Sequence, residues 1–323
     1  MNHEYEIVRH NRFQNLHVLI VEIGSRTPHL HRDLELGMVL EGSANVQYSG
    51  HAEHLTENDL YLINPLEAHA FHAVGHSVKI LAIQTSYKVM NSFLVKPIIP
   101  QFSLDSGLHE FLSPDSCVYR QLKTLCTDLA ESYMAEPADD FHTFYLLNEL
   151  LHLLVQNLPH NLLEDTDYQL MKKKADRMLS ILDYIDANYQ RKLLLDEIAA
   201  REGFTLTYMS HFFKESLGMC FQAYLKEKRF EEACRLLLTT DWKLLDISMS
   251  CGFSDIRYMT EVFRDKTGLS PKEYRNANHR SIIQNQTVSQ TIERILPPQE
   301  AGSVLKQYRS KTAFYDKPIP DPS

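Results

Sequence analysis

The sequence predicts a multidomain α+β protein: a β-rich N-terminal barrel carrying packed helices, followed by an all-α C-terminal region built on a duplicated helix-turn-helix. Two observations predict it. Five short β-rich runs lie between Leu16 and Gln84, and the second half of the chain repeats itself at a period of about 50 residues. Ile198, Gly203 and Phe204 return as Ile247, Gly252 and Phe253; after a one-residue insertion, Tyr208, Met209, Phe213, Lys214, Gly218 and Tyr224 return as Tyr258, Met259, Phe263, Arg264, Gly268 and Tyr274. Two copies are too few for a solenoid. At 323 residues the chain is long enough for two cores.

In chain order, Leu16–Ile23, Leu34–Leu40, Ala44–Tyr48, Leu60–Ile63 and Val78–Gln84 are the β-rich runs, punctuated by Gly42, Ser49-Gly50, Asn58-Asp59 and Pro65. Many short strands with turns between them predict a barrel or jelly roll over residues 1–110. From Asp115 the pattern becomes helical. Tyr119, Leu122, Leu125, Leu129 and Tyr133 follow one face, Glu136-Pro137 breaks the run, and Phe144, Leu147, Leu150, Leu151 and Leu154 follow another. Residues 111–158 therefore read as an antiparallel helix pair. Residues 159–174 read as a linker, polar, acidic and mobile over Pro159–Asp167, with the basic Lys172–Lys174 run at its end.

Residues 175–278 hold the repeat. A short helix carrying Ile198 and Ala199 stops at Gly203, where positive φ permits a sharp turn, and Phe204 re-enters the core. On the next helix Met209, Phe212 and Phe213 face inward, which leaves Thr207, Ser210, His211 and Lys214 outside. In the second copy Met259, Val262 and Phe263 face inward and Ile256, Arg257, Thr260, Glu261 and Arg264 face out. Hydroxyl, imidazole, guanidinium and carboxylate groups on such a face suit base edges and phosphates. A connecting helix from Phe221 to Leu238 would span ~27 Å, against ~34 Å for one turn of B-DNA. The tail, 279–323, has a possible short helix at Gln284–Ile295 and a Pro-rich end at Pro318–Ser323; it is expected either to pack back on one of the domains or to stay disordered, and no role follows from its residues.

Charge is distributed unevenly. The net −9 comes from the first 171 residues, which carry 9 Lys/Arg against 22 Asp/Glu, whereas residues 172–279 carry 18 against 16. So weak a positive balance predicts locally placed DNA contacts, not a general basic surface. Five cysteines without a CxxC pair exclude a zinc ribbon and a disulfide framework. With a polar N-terminus and no long apolar stretch, a soluble cytoplasmic protein is expected.

Ile247 to Arg275, with Gly-Phe, Tyr-Met-Thr-Glu-Val-Phe-Arg and Thr-Gly-Leu-Ser-Pro-Lys-Glu-Tyr-Arg, resembles the signature of the arabinose-regulator (AraC) family of bacterial transcription regulators, and the resemblance extends over Asp176–Arg275. Its closing motif has its own mechanics: Ser270 caps a last helix, Pro271 takes the first position and Glu273 completes a capping box. The family implies two helix-turn-helix modules on a linker helix, binding double-stranded promoter DNA, and contact with RNA polymerase if the protein activates. Helices after the barrel make the dimer interface in such regulators, so a homodimer is expected. Three positions depart from the family pattern. Ser248 replaces a usual alanine and Phe230 a usual aliphatic residue, both altering packing; Glu261 stands where a basic or amide residue is common, and its carboxylate is repelled by phosphates unless it accepts from a cytosine amino group. The second module is therefore expected to be the weaker reader.

Within the barrel, His29-Leu-His31, Glu35, Gly42 and Asn64-Pro65-Leu-Glu-Ala-His69 resemble the cupin fold, in particular the ligand-binding half of arabinose-type regulators. His29 and His31 alternate to one side of a strand, and with Glu35 and His69 they form a three-histidine, one-carboxylate set suited to iron, manganese or zinc. In enzymatic cupins these residues hold a catalytic metal, so a metal-dependent oxygenase or isomerase fused to a DNA-binding region is the alternative reading. Against it, Asn58 and Glu67 stand where the second cupin motif has glycines, and regulators of the family keep such histidines as polar groups in an effector pocket. No catalytic residue, metal or cofactor is expected. His29, His31, Glu35, Tyr48, Asn64 and His69 are the candidate effector-binding residues. So polar a wall suits a sugar or related metabolite, with fatty acids and phenolics as open alternatives. His51, His54, His72 and His76 are assigned to hairpins or surface.

Overall fold

The computed structural model describes residues 13, 15–48, 52–91, 99–104, 107–137, 139–284 and 293–312. The N-terminal half is a sandwich of two antiparallel sheets. Its strands are β1 (Leu16–Ile23), β2 (Ser25–His29), β3 (Leu34–Glu41), β4 (Ala44–Gln47), β5 (Ala52–Leu55), β6 (Leu60–Ile63), β7 (His69–Ala73) and β8 (Val78–Thr85). One sheet has the order β1-β8-β3-β6 and the other β2-β7-β4-β5. The first is buried on both faces. Leu19, Val21, Ile23, Val39, Tyr61, Ile63 and Ile80 meet Val46 and Phe71 of the second sheet, while Leu16, Val18, Ile20, Leu36, Met38, Leu81 and Ile83 face the helices. Burial on both faces makes these strands near-continuous apolar runs, which is why they are legible in the sequence.

After the sandwich come α1 (Tyr87–Asn91), β9 (Ile99–Phe102), α2 (Cys117–Met134), α3 (Asp140–Asn157), β10 (His160–Leu163) and α4 (Asp165–Asn188). The α2 and α3 pair covers the first sheet with Tyr119, Leu122, Leu129, Leu147, Leu150 and Leu154. The expected mobile linker is corrected here. Residues 160–163 pair with β9, and α4 runs unbroken for 24 residues into the C-terminal half. The acidity that reads as linker is Asp165 and Asp167 in the first turn of a helix, where they complement its dipole.

The C-terminal half consists of α5 (Leu195–Glu202), α6 (Leu206–Leu217), α7 (Phe221–Thr239), α8 (Leu244–Ser250), α9 (Ile256–Thr267) and α10 (Pro271–Gln284). It has two cores. One joins α4, α5 and α6 to Phe221, Tyr224 and Leu225 of α7; the other joins α8 and α9 to Ala233, Cys234, Leu236 and Leu237 of the same helix. Leu30 and Ala68 of the sandwich enter the first of these cores, and Arg32 pairs with Asp176 at 2.6 Å.

The tail returns to the sandwich. Glu293–Ile295, placed by the sequence reading in a short helix, is instead a strand, β11, which pairs antiparallel with Val21–Ile23 at the free edge of β1. The helix α11 (Pro298–Thr312) follows and buries Ala301, Leu305 and Tyr308 beside Leu296 in the large N-terminal core. Tyr308 donates to Asn58 Oδ1 at 2.6 Å, Arg26 to Glu293 at 2.7 Å and Arg294 to Glu22 and Glu300 at 3.2 and 2.6 Å, while Arg309 pairs with Asp128. Gln284 ends α10; 285–292, Ser49 to His51 and Pro318–Ser323 lie outside the described residues.

Candidate functional site

The second helix of each repeat, α6 or α9, is set by a glycine turn and a capped start. Gly203 takes φ 74 and closes α5 onto the carbonyls of Ala199 and Ala200; Thr205 then caps α6 by accepting from the Tyr208 N–H at 3.2 Å. In the second module Gly252 takes φ 76, and Asp255 accepts from the Tyr258 N–H at 2.9 Å. Met209, Phe212 and Phe213 are buried while Thr207, Ser210, His211 and Lys214 are exposed. On α9 Met259, Val262 and Phe263 are buried and Arg257, Glu261 and Arg264 exposed; Ile256 and Thr260 are half-buried, with the Thr260 hydroxyl donating to the Ile256 carbonyl at 2.8 Å. Two further groups stand on these faces. Tyr208 and Tyr258, 42% and 39% exposed, rest their rings on Phe204 and Phe253 at matched positions. Their recurrence in the repeat was the available signal.

Besides sharing its two faces between the modules, α7 is pinned by polar contacts. Lys228, 7% exposed, pairs with Asp186 of α4 at 3.1 Å, and Arg229 donates to the carbonyls of Tyr189 and Arg191, both at 2.8 Å. The exposed faces of α6 and α9 are thereby held on one frame.

In the sandwich, four of the six predicted effector residues come together. His29 and His69 have ring centroids 4.1 Å apart, and His31 and His69 5.0 Å. Glu35, 4% exposed, points between the sheets; its Oε1 accepts from Tyr61 at 2.7 Å, and its Oε2 from Gln84 at 2.8 Å and His31 Nε2 at 3.0 Å. Burial alone would raise the Glu35 pKa, but the hydrogen bonds from His31 and Gln84 and the charges of His31 and His69 hold its carboxyl below the usual range. Burial and the neighbouring His31 push His69 down to about 3, and burial with Arg26 lowers His29. Tyr61 and Gln84 are missed by sequence reading; a glutamine on the inward register of an apolar strand was the signal at Gln84.

Tyr48 and Asn64 stand apart from the cluster. His69 and Tyr48 line a cavity of about 320 Å³ with Pro28, Gln47, Leu217 and Met219, so its wall combines the sandwich and the end of α6. Tyr48 and Asn64 also line a neighbouring cavity of about 250 Å³ beside Glu67 and Phe102. The Asn64 amide is spent on the fold: it donates to Glu67 and the Phe102 carbonyl at 3.1 and 3.0 Å and accepts from the Phe102 N–H at 2.9 Å. His54 and His76 are exposed, and His72 meets Ser25 at 3.0 Å.

The model of the AraC-like ligand binding domain matches residues 23–154, and a helix-turn-helix domain model matches residues 198–277. The chain is thus similar to the AraC family, by its ligand-binding model in the first half and a helix-turn-helix model in the second. Among curated relatives, the uncharacterized HTH-type transcriptional regulator YijO of Escherichia coli (strain K12) is 34% identical over 108 residues, covering 33% of this chain and 38% of that protein. The uncharacterized HTH-type transcriptional regulator SAS0078 of Staphylococcus aureus (strain MSSA476) is 24% identical over 266 residues, 80% of this chain and 33% of that one. The chain thus spans little more than a third of the length of these curated relatives. Among solved structures, the C-terminal domain of the two-component response regulator yesN from Fusobacterium nucleatum is 33% identical, with a TM-score of 0.30, over 31% of this chain and 98% of that one. The relatives are named as regulators of transcription, not as enzymes. Among the described residues no helix is long and apolar enough to cross a membrane.

Proposed function

We propose that this chain regulates transcription by binding double-stranded promoter DNA through α6 and α9, under the control of a small polar effector held in the N-terminal sandwich. The observation that carries the reading is the pair of exposed, separately capped helices on one connecting helix of 19 residues. At 1.5 Å per residue α7 is ~28 Å long, which suits entry into successive major grooves. Thr207, Ser210, His211, Lys214, Ile256, Arg257, Thr260, Glu261 and Arg264 form the DNA-facing set, with Glu261 making the second module the weaker contributor.

The effector reading rests on a polar cavity wall. Tyr48 and His69 offer phenol and imidazole groups to the larger cavity, with His29, His31 and Glu35 clustered behind His69 and Asn64 at the smaller cavity, and a sugar or related polyhydroxylated metabolite is the class that suits them. Because Leu217 and Met219 share the larger cavity, a ligand there touches the first module. It can change DNA occupancy to the extent that it prefers one arrangement of the two halves. A homodimer is favoured by α3, which leaves Phe141 93% and Tyr145 61% exposed. Contact with RNA polymerase follows if the protein activates.

Genome-wide mapping of bound sites, followed by binding of the mapped sequence to purified full-length protein, tests the DNA reading. Arg257→Ala and His211→Ala should each weaken specific binding by ~1–3 kcal/mol, and Lys214→Ala should weaken all sequences alike and lower the salt slope by about one. Wild-type affinity in both reading-helix variants would overturn it. Thermal-shift titration with sugars and sugar acids tests the effector class, and sedimentation the dimer.

A further inference from the structure

The repeat sorts the outward residues of α6 and α9 into those that change between the copies and those that do not. Thr207 and His211 become Arg257 and Glu261, whereas Tyr208 returns as Tyr258 and the cation of Lys214 as Arg264. Base edges differ from one half of a site to the other, but phosphates are the same along the whole duplex. Outward groups that change are therefore suited to bases, and outward groups that are kept are suited to the backbone. A kept cation fits that rule at once; a kept exposed tyrosine requires its geometry to be considered.

Successive residues turn about 100° around a helix, so Tyr208 and Tyr258 stand on the flank of a face centred on Thr207 and His211 in α6 and on Arg257 and Glu261 in α9. A helix with its side chains is about 10–12 Å across and the major groove about 12 Å wide, so a helix in the groove turns its middle to the bases and its flanks to the phosphate walls. Both rings are held in place: Tyr208 stacks on Phe204 at 4.5 Å between centroids, and Tyr258 meets Phe253 edge-on at 5.9 Å. Among the described residues neither hydroxyl has a hydrogen-bond partner, while those of Tyr61, Tyr119, Tyr184 and Tyr308 are engaged inside the protein. Arg177 of α4 lies over the Phe204 ring at 4.6 Å and has no carboxylate partner among the described residues. Seven residues on, Glu215 and Asp265 recur on the same flank, ~10 Å along the axis, and would repel a phosphate there. The backbone can thus meet this flank only at the first turn of each helix, which is also the positive end of its dipole.

We propose that Tyr208 and Tyr258 are matched backbone clamps, each donating its hydroxyl to a phosphate oxygen beside the first turn of its helix, with the Arg177 guanidinium on the same wall as Tyr208. The proposal rests on the DNA reading and adds to it three residues outside the DNA-facing set. A phenol donates one hydrogen bond and carries no charge, so it positions its helix in the groove without releasing a counterion. Because Phe204 and Phe253 fix the rings beforehand, little side-chain freedom is lost when the contact forms.

Full-length protein and its variants are titrated against the mapped DNA site, against the same site with base substitutions, and against copies carrying single uncharged methylphosphonate linkages. Tyr208→Phe and Tyr258→Phe keep the rings and should melt as wild type. Each should bind about 3–10-fold more weakly, the scale of one lost hydrogen bond, by the same factor on every sequence and with the salt slope unchanged. Arg177→Gln should lower that slope by about one. At one linkage per module the methylphosphonate should weaken the wild type more than the corresponding Phe variant. Wild-type affinity in either folded Phe variant, or a loss that depends on the base sequence, would overturn the clamp and leave the DNA reading standing; an unchanged slope in Arg177→Gln would remove Arg177 from it. A wild type with no sequence preference at all would overturn the DNA reading and the clamp together, so the two failures are distinguishable.

Discussion

Gly203 and Gly252 turn the same corner in the two modules, at φ 74 and 76, yet their surroundings differ. A Cβ on Gly203 would meet nothing within 4 Å, whereas one on Gly252 would stand 2.5 Å from the Tyr189 carbonyl oxygen and 2.7 Å from that of Gln190. Gly203→Ala should therefore cost only the left-handed backbone strain, ~1–2 kcal/mol. Gly252→Ala adds a clash with backbone that cannot rotate away, and is expected to cost more than ~3 kcal/mol in urea denaturation. The sequence predicts positive φ at the first corner but contains no hint that the second abuts the end of α4. Legibility at the candidate ligand site divides in the same way. His29, His31, Glu35 and His69 are found from their spacing, but Asn64, chosen for its type, is occupied in tying β6 to β9. A residue's chemistry is legible in sequence; whether that chemistry is already engaged depends on a strand almost forty residues away.

Helix starts make the second module sensitive to acid. Asp255 caps α9, and the backbone N–H of Tyr258 holds its carboxyl below the ordinary range; Glu273 closes the box at α10 and is lowered by the Ser270 hydroxyl and N–H. A carboxyl with a depressed folded pKa contributes stability that is present above its unfolded value, ~4, and lost as pH falls through the folded one. Exchange protection of the α9 and α10 amides should accordingly fall below pH 4, and Asp255→Asn with Glu273→Gln should flatten that dependence. Thr205→Ala, which removes a neutral cap from α6, should cost ~1 kcal/mol at every pH, checked by chemical denaturation. Among the strands, sequence reading finds the four buried on both faces and the alternating β4 but passes over β2, β5 and β7, whose sequences Ser-Arg-Thr-Pro-His, Ala-Glu-His-Leu and His-Ala-Phe-His-Ala are too short and polar to stand out. Their partners in the second sheet supply what their own side chains do not announce.

Across the whole molecule, the tail belongs physically to the N-terminal sandwich. Ala301, Leu305 and Tyr308 recur at helical spacing, so the stripe was present in the sequence; its destination, 270 residues earlier at Met38 and 250 earlier at Asn58, was not. Tyr308→Ala should destabilise the sandwich by ~3 kcal/mol, as for other large buried aromatics, in a melt monitored on that half of the protein. A chain ending at Gln284 keeps every helix of the two modules but leaves the β1 edge unpaired, and it should self-associate in a concentration-dependent way on light scattering.

The tail also changes what kind of movement is open to the helical half that we propose reads DNA. The chain leaves the sandwich through β10 and α4 and rejoins it at β11, so in connectivity the reader is an insert with two attachments, not a terminal appendage on a single tether. A body fixed at two points has one easy rotation, about the line that joins them. In the proposed dimer α6 and α9 would then swing through an arc about that axis, and the groove spacings they can reach would be the ones that lie on it.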